Sequence, residues 1–175
     1  MKIEVRQEHP KDYKTIEQVV KLAFEDVEQS DHTEHQLVAR LRNSEAYIPE
    51  LALVANNDTE ELIGHILLTK IKIKNDNQQV DSLALAPVSV SPEYQNKGVG
   101  IHLVTNALKK AKDLGYQSVI VLGHPKYYPK FGFKRASMWG IKAPFLVADE
   151  VFMALELHEN SLENVSGVVE YSSAF

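Results

Sequence analysis

A chain of 175 residues, 44% hydrophobic and 25% charged, has the make-up of one globular domain spanning residues 1–175, which excludes a disordered tail, a collagen-like fibre and a coiled coil. The absence of cysteine removes disulfides, cysteine-ligated zinc, iron–sulfur clusters and a thiol nucleophile. A net charge of −5 with no basic stripe argues against a nucleic-acid partner and suits a cationic or amine one.

Lys2 to Arg6 alternates as a short strand with Ile3 and Val5 on one face. Pro10 suits a first helical turn, and Tyr13, Ile16, Val20 and Phe24 follow at three- and four-residue steps, the spacing of a helix with one buried stripe. Leu37, Val38 and Leu41 predict a second helix over 33–42, with Thr33 placed to cap it. Strands are expected at Leu51–Ala55, Leu62–Lys74 and Val80–Val90, the last interrupted by Pro87, with Asn- and Asp-rich turns between them. In the second, Ile71 and Ile73 alternate with Lys70, Lys72 and Lys74, one dry face and one wet. These three strands read as an antiparallel meander.

After a loop at Ser91–Lys97, the spacing predicts a helix over Gly98–Lys112 with Ile101, Val104, Leu108 and Ala111 on one face and Gly115 as its stop. Ser118–Leu122 is a short β-branched run, so strand, helix and strand make a crossover with a parallel strand pair. Pro125–Phe131 reads as a short helix, Phe152–Leu157 and Val168–Val169 as late strands. The expected fold class is α/β (α+β): a mixed, mostly antiparallel sheet with flanking helices. Apolar runs such as Leu51–Ala55 fall far below the ~18 residues of a spanning helix, and Glu4, Arg6 and Glu8 interrupt any signal-peptide core. A cytoplasmic protein with no membrane partner is therefore expected.

The chemistry concentrates in Val88-Ser89-Val90-Ser91-Pro92-Glu93-Tyr94-Gln95-Asn96-Lys97-Gly98-Val99-Gly100. Two glycines stand where a loop enters a helix after an apolar strand. A helix start leaves N–H groups unpaired and favours negative charge, and glycine admits a ligand close to the backbone. This is a candidate cradle for a phosphate or pyrophosphate. It is not a Walker loop, since no glycine lies five residues before Gly98 and no Lys-Ser/Thr pair follows, nor a dinucleotide fingerprint, since Leu103 stands where a small residue is needed. The same residues also suit a glycine-relieved helix start with no ligand.

Gln95-Asn96-Lys97-Gly98-Val99-Gly100 resembles the Gln/Arg-x-x-Gly-x-Gly/Ala loop of the GNAT (Gcn-related) N-acetyltransferase superfamily, and Tyr127-Tyr128-Pro129-Lys130-Phe131-Gly132-Phe133 resembles its Tyr-x-x-x-Gly-Phe element. The order of strand, loop, helix, strand and Gly-Phe agrees, and the whole chain resembles a bacterial subgroup of small acetyltransferases. The resemblance implies acetyl transfer from acetyl-CoA, as co-substrate, to a primary amine of a small molecule or protein, by direct attack. It implies that the amides of Gln95, Asn96, Lys97, Gly98, Val99 and Gly100 hold the pyrophosphate. The strand carrying Val88, Ser89 and Val90 serves the pantetheine arm through main chain, and Tyr128 donates to the CoA sulfur. The family often forms dimers, which makes a homodimer the assembly to test. A non-catalytic acyl-CoA-binding or sensor domain on the same fold is the alternative, and a nucleotide-phosphate binder a further rival.

Tyr128 also reads as an aromatic packing residue beside Phe131 and Phe133, and Tyr127 as packing. Two residues are candidates for the base. Glu50 precedes a strand, where it reads equally as a solvated loop carboxylate. His124 stands at the end of a presumed central strand, with an ordinary imidazole pKa near 6.5, and reads equally as shaping the turn before Pro125. Asp31-His32-Thr33-Glu34-His35 is not His-Glu-x-x-His and has no third ligand in register, so no metal is expected. His65 and His102 fall within apolar patterns and read as structural.

Overall fold

The computed structural model describes all residues 1–175. Strand β1 (Glu4–Gln7) leads through a 3-10 turn at Pro10–Asp12 into helix α1 (Tyr13–Phe24), followed by α2 (Glu34–Arg42). Thr33 stands at the cap position of α2 but makes no side-chain cap bond; its hydroxyl donates to Asp31 at 2.6 Å. The meander is β2 (Ala52–Asn56), β3 (Leu62–Lys74) and β4 (Gln79–Val90), after which α3 (Val99–Asp113) crosses to β5 (Ser118–Leu122). The expected helix after β5 is a 3-10 turn at Tyr128–Phe131. Two-residue strands β6 (Lys134–Arg135) and β7 (Ile141–Lys142) follow, then β8 (Phe152–Glu156) and β9 (Gly167–Glu170).

All nine strands join one sheet in the order β1-β2-β3-β4-β5-β8-β6, with β9 on β3 and β7 on β9. Neighbours are antiparallel except β4–β5 and β7–β9. Helix α3 covers one face, where Leu103, Val104 and Ala107 meet Ile66, Leu68 and Leu83. Helices α1 and α2 cover part of the other, with Ile16, Val20 and Leu41 on Ala52, Val54 and Leu67. The rest of that face packs Ile71, Ile73 and Ile120 against Phe152, Leu162 and Val169. Ile71 and Ile73 are buried while Lys70 is exposed, the alternation read from the sequence.

Two departures from regularity open the site. In β4 three residues span what two span in β3: Ile66 pairs with Val88 and Leu68 with Leu85, leaving Ala86 and Pro87 opposite Leu67. Proline has no N–H for the ladder, and such a bulge bends its strand. Strand β5 pairs with β4 only at Val119 and Ile120, opposite Leu83 and Ala84. From Leu85 to Val90 the two parallel strands part.

Candidate active site

Ser91 N–H donates to the Ile63 carbonyl of β3 at 2.8 Å. Backbone direction alternates along a strand, so the N–H and C=O groups of Val90 and Val88 face the opening beside β5. Gln95 marks that side, its Nε2 donating to the Val90 carbonyl at 3.1 Å. An open strand edge of this kind can pair with an extended, amide-bearing ligand.

Above the opening begins α3. Gly98 occupies the cap position at φ +84°, left-handed, with no side chain bonded into the helix start. Asn96 is also left-handed at φ 63°, a conformation asparagine tolerates. The amides of residues 96–101 donate to no backbone carbonyl. A Cβ on Gly98 would meet nothing within 4 Å, whereas one on Gly100 would stand 2.9 Å from the Tyr127 hydroxyl. Together with Val88, Val90, Ile101, Tyr127 and Lys130, these residues line a cleft of about 560 Å³, closed at one side by Ala23 and Phe24 at the end of α1. Lys130 lies 4.2 Å over the Tyr127 ring and Lys97 5.6 Å from the Tyr94 ring, so cations stand by the helix start in an otherwise acidic chain.

Several residues differ from their sequence reading. Ile101 is 43% exposed and lines the cleft; Val99, Leu103 and Ala107 join the buried stripe instead. The side chain of Ser89 is buried and is not among the cleft residues. Tyr127, read as packing, forms cleft wall. The chain turns at Tyr127–Tyr128, sending consecutive rings to different surroundings, and that turn was the available signal. The Tyr128 ring is buried against Tyr127, Phe131 and Phe133. Burial, with Tyr127 adding, pushes its phenol up to about 12, which keeps the proton on it at neutral pH.

Neither proposed base joins the cleft. Glu50 lines a separate groove with Arg6, Asn106, Lys109 and Asp113 beside the C-terminal half of α3, and the two sites share no residue. A 3-10 turn at Pro49–Leu51 puts Glu50 at the start of β2, two strands away from the opening. His124 is exposed; its Nδ1 accepts from the Lys126 N–H at 3.1 Å and its carbonyl from the Tyr127 N–H at 3.1 Å. It shapes the turn that carries the two tyrosines. A larger groove of about 730 Å³, lined by Glu45, Lys70, Asp81, Tyr116 and Tyr171, also shares no residue with the cleft.

A polar cluster is buried on the other side of the sheet. The Glu8 carboxylate accepts from Arg42 Nε at 2.9 Å, the Tyr47 hydroxyl at 2.6 Å and His65 Nε2 at 2.9 Å. The side chains of Glu8 and His65 are 1% and 0% exposed. Burial alone would raise the Glu8 pKa, but hydrogen bonds from His65, Arg42 and Tyr47 outweigh it and hold the carboxyl at about 2. Its folded pKa lies below its unfolded one. Its contribution to stability is therefore complete above about pH 5 and lost as pH falls toward 2, on the order of a few kcal/mol. Chemical denaturation of wild type and Glu8→Gln across pH 2–7 checks this: the wild type should lose stability on acidification more steeply than the variant.

An open strand edge running into a helix start with unpaired amides has the donors and the space that an extended ligand ending in a diphosphate would need. Comparison with known proteins names the class. The model of the acetyltransferase (GNAT) domain matches residues 4–136, and the chain belongs to this family of acetyltransferases. It is 30% identical over 171 residues to the Escherichia coli K12 protein described as uncharacterized N-acetyltransferase YhbS, covering 98% of this chain and 97% of that one. It is 38% identical over 118 residues to YjhQ of the same organism, covering 67% of this chain and 65% of YjhQ. The crystal structure of E. coli YhbS in complex with CoA superposes with a TM-score of 0.89 at 26% identity, covering 100% of this chain and 92% of that one. A GNAT acetyltransferase from Brucella melitensis in complex with acetyl-CoA does so with a TM-score of 0.81 at 29% identity, over 99% and 98% of the two chains. No helix of the protein is long and apolar enough to cross a membrane.

Proposed function

We propose that the protein moves an acetyl group from acetyl-CoA to a primary amine, of a small molecule or a protein, by direct attack. One observation carries this reading: the helix start with its unpaired amides and the strand edge opened between β4 and β5 line one cleft. Amides and helix dipole together suit a diphosphate, and the left-handed Gly98 with no Cβ leaves room for one. CoA in the E. coli structure and acetyl-CoA in the Brucella structure are ligands of this kind.

The chain's own groups then divide the work. The Val88 and Val90 backbone pairs with the amides of the pantetheine arm and offers N–H groups where the thioester oxygen gains charge. Lys97 and Lys130 balance phosphate charge. Tyr128 donates its phenol proton toward the departing sulfur, help typically worth about 10²- to 10⁴-fold. Holding both reactants in line adds to this.

Calorimetry should show acetyl-CoA binding well and ATP and NAD binding poorly. With a panel of amines, thiol release should run at a steady rate above hydrolysis. Tight acetyl-CoA binding without release would replace the enzyme by a sensor, and equal binding of ATP would remove the coenzyme assignment.

A further inference from the structure

Gly100 is kept free of a side chain by a neighbour, not by its own backbone. Its φ is not left-handed, so alanine would suit the position locally and favour the helix. The obstacle is the Tyr127 hydroxyl, 2.9 Å from where a Cβ would stand, and Val90 Cγ2 lies 3.9 Å from the same point. Tyr127 comes from the turn after β5, Gly100 from the first turn of α3 and Val90 from β4. The hydroxyl therefore occupies the corner where the helix start meets the parted strand edge, and all three residues line the cleft.

The ring that carries this hydroxyl is held from several sides. Its centroid lies 5.1 Å from that of Tyr128, edge-on, and 5.5 Å from that of Phe131. The Lys130 ammonium sits 4.2 Å over its face. Edge-to-face and cation–π contacts of this kind fix the phenol before any ligand arrives. The phenols of Tyr47 and Tyr94 donate to carboxylates, Glu8 and Glu61; the Tyr127 phenol bonds to nothing in the chain. Burial pushes its pKa up, so it keeps its proton at neutral pH and stays a donor. The amides of residues 96–101, Gly100 among them, donate to no backbone carbonyl. No carboxylate lines the cleft, although the chain as a whole is acidic. Hydroxyl, amides and ammonium thus converge with nothing of the chain to accept from them.

We propose that the Tyr127 hydroxyl is a side-chain donor to the coenzyme diphosphate, and that Gly100 lacks a Cβ to make room for it. This rests on the acetyl-CoA reading above. It adds a side chain to a cradle otherwise made of main chain, and it divides the two tyrosines: Tyr127 grips the diphosphate and Tyr128 serves the sulfur. Lys130, held on the Tyr127 ring, brings its charge to the same oxygens.

Calorimetry on three variants tests this, with a thermal melt of each. Tyr127→Phe keeps the ring, its aromatic neighbours and Lys130, so the melting temperature should hold. Acetyl-CoA affinity should fall about 10-fold, the loss of one hydrogen bond to a charged group. Dephospho-CoA lacks only the ribose phosphate and 3′-phospho-ADP lacks the pantetheine arm. Both retain the diphosphate and should lose the same factor. A loss confined to ligands with the ribose phosphate, or to those with the arm, overturns the assignment. Gly100→Ala pushes the hydroxyl aside and should also cost about 10-fold. Added to Tyr127→Phe it meets no oxygen and should cost almost nothing further. An equal cost of Gly100→Ala in both backgrounds, or none in either, overturns the fit between the two residues. A wild type that binds neither acetyl-CoA nor dephospho-CoA defeats the coenzyme reading, and this proposal with it; tight wild-type binding that Tyr127→Phe leaves unchanged defeats the proposal alone.

Discussion

Gly100→Glu should lower acetyl-CoA affinity by 100-fold or more while leaving the fold as stable as before. Gly100 lies in the first turn of α3 with ordinary helical φ, unlike left-handed Gly98. A glutamate there suits the helix dipole, and replacing a helical glycine recovers about 0.5–1 kcal/mol. Its Cβ would press only on the Tyr127 hydroxyl, the end of a side chain that can shift. A carboxylate at the helix start repels a diphosphate and competes for its amides. Hydrogen bonds to charged groups are worth about 1.5–3 kcal/mol each, so losing two reaches 100-fold in affinity. Calorimetry paired with a thermal melt separates the effects. Binding unchanged in a folded Gly100→Glu would remove the cradle. Gly98→Glu is the poorer test, because φ +84° strains any residue with a Cβ.

Tyr128→Phe should cut kcat by about 100-fold with acetyl-CoA affinity and melting temperature nearly unchanged. The buried ring, which phenylalanine keeps, supplies the packing against Phe131 and Phe133; in the proposed role the lost hydroxyl supplies only the proton. A phenol held near 12 by burial is a weak acid, so its donation accompanies thiolate departure rather than preceding it. Gly123→Ala probes the same atom from the other side. A Cβ there would stand 2.2 Å from the Tyr128 ring, so the ring must move, and kcat should fall without loss of coenzyme binding. Full turnover in Tyr128→Phe would return Tyr128 to a packing role.

Elements with many residues in one period were legible. The bounds of β3 and β5 are those the patterns predict, and α3 differs by one residue at each end, because thirteen or fifteen residues repeat a signal, and the five of β5 form an unbroken β-branched run, where two residues can do neither. Strands β6 and β7, two residues each, have no period to read; pairing with β8 and β9 alone creates them. Ile101 fits the apolar stripe of α3 by spacing, yet the helix turns that position toward the cleft. His65 looked like one more residue of an apolar strand, since its partner Glu8 lies 57 positions away and nothing local marks the pair.

The candidate phosphate cradle was legible in the sequence, because a glycine-bearing strand-to-helix turn frees its amides through local backbone geometry alone. The fate of the carboxylates and imidazoles was decided by tertiary structure. Strand order sends Glu50 into another groove, the turn after β5 occupies His124, and sheet register sets Ser89 opposite a histidine locked to a buried glutamate. Proton chemistry depends on which groups meet and what water they lose, and chain-distant partners settle both.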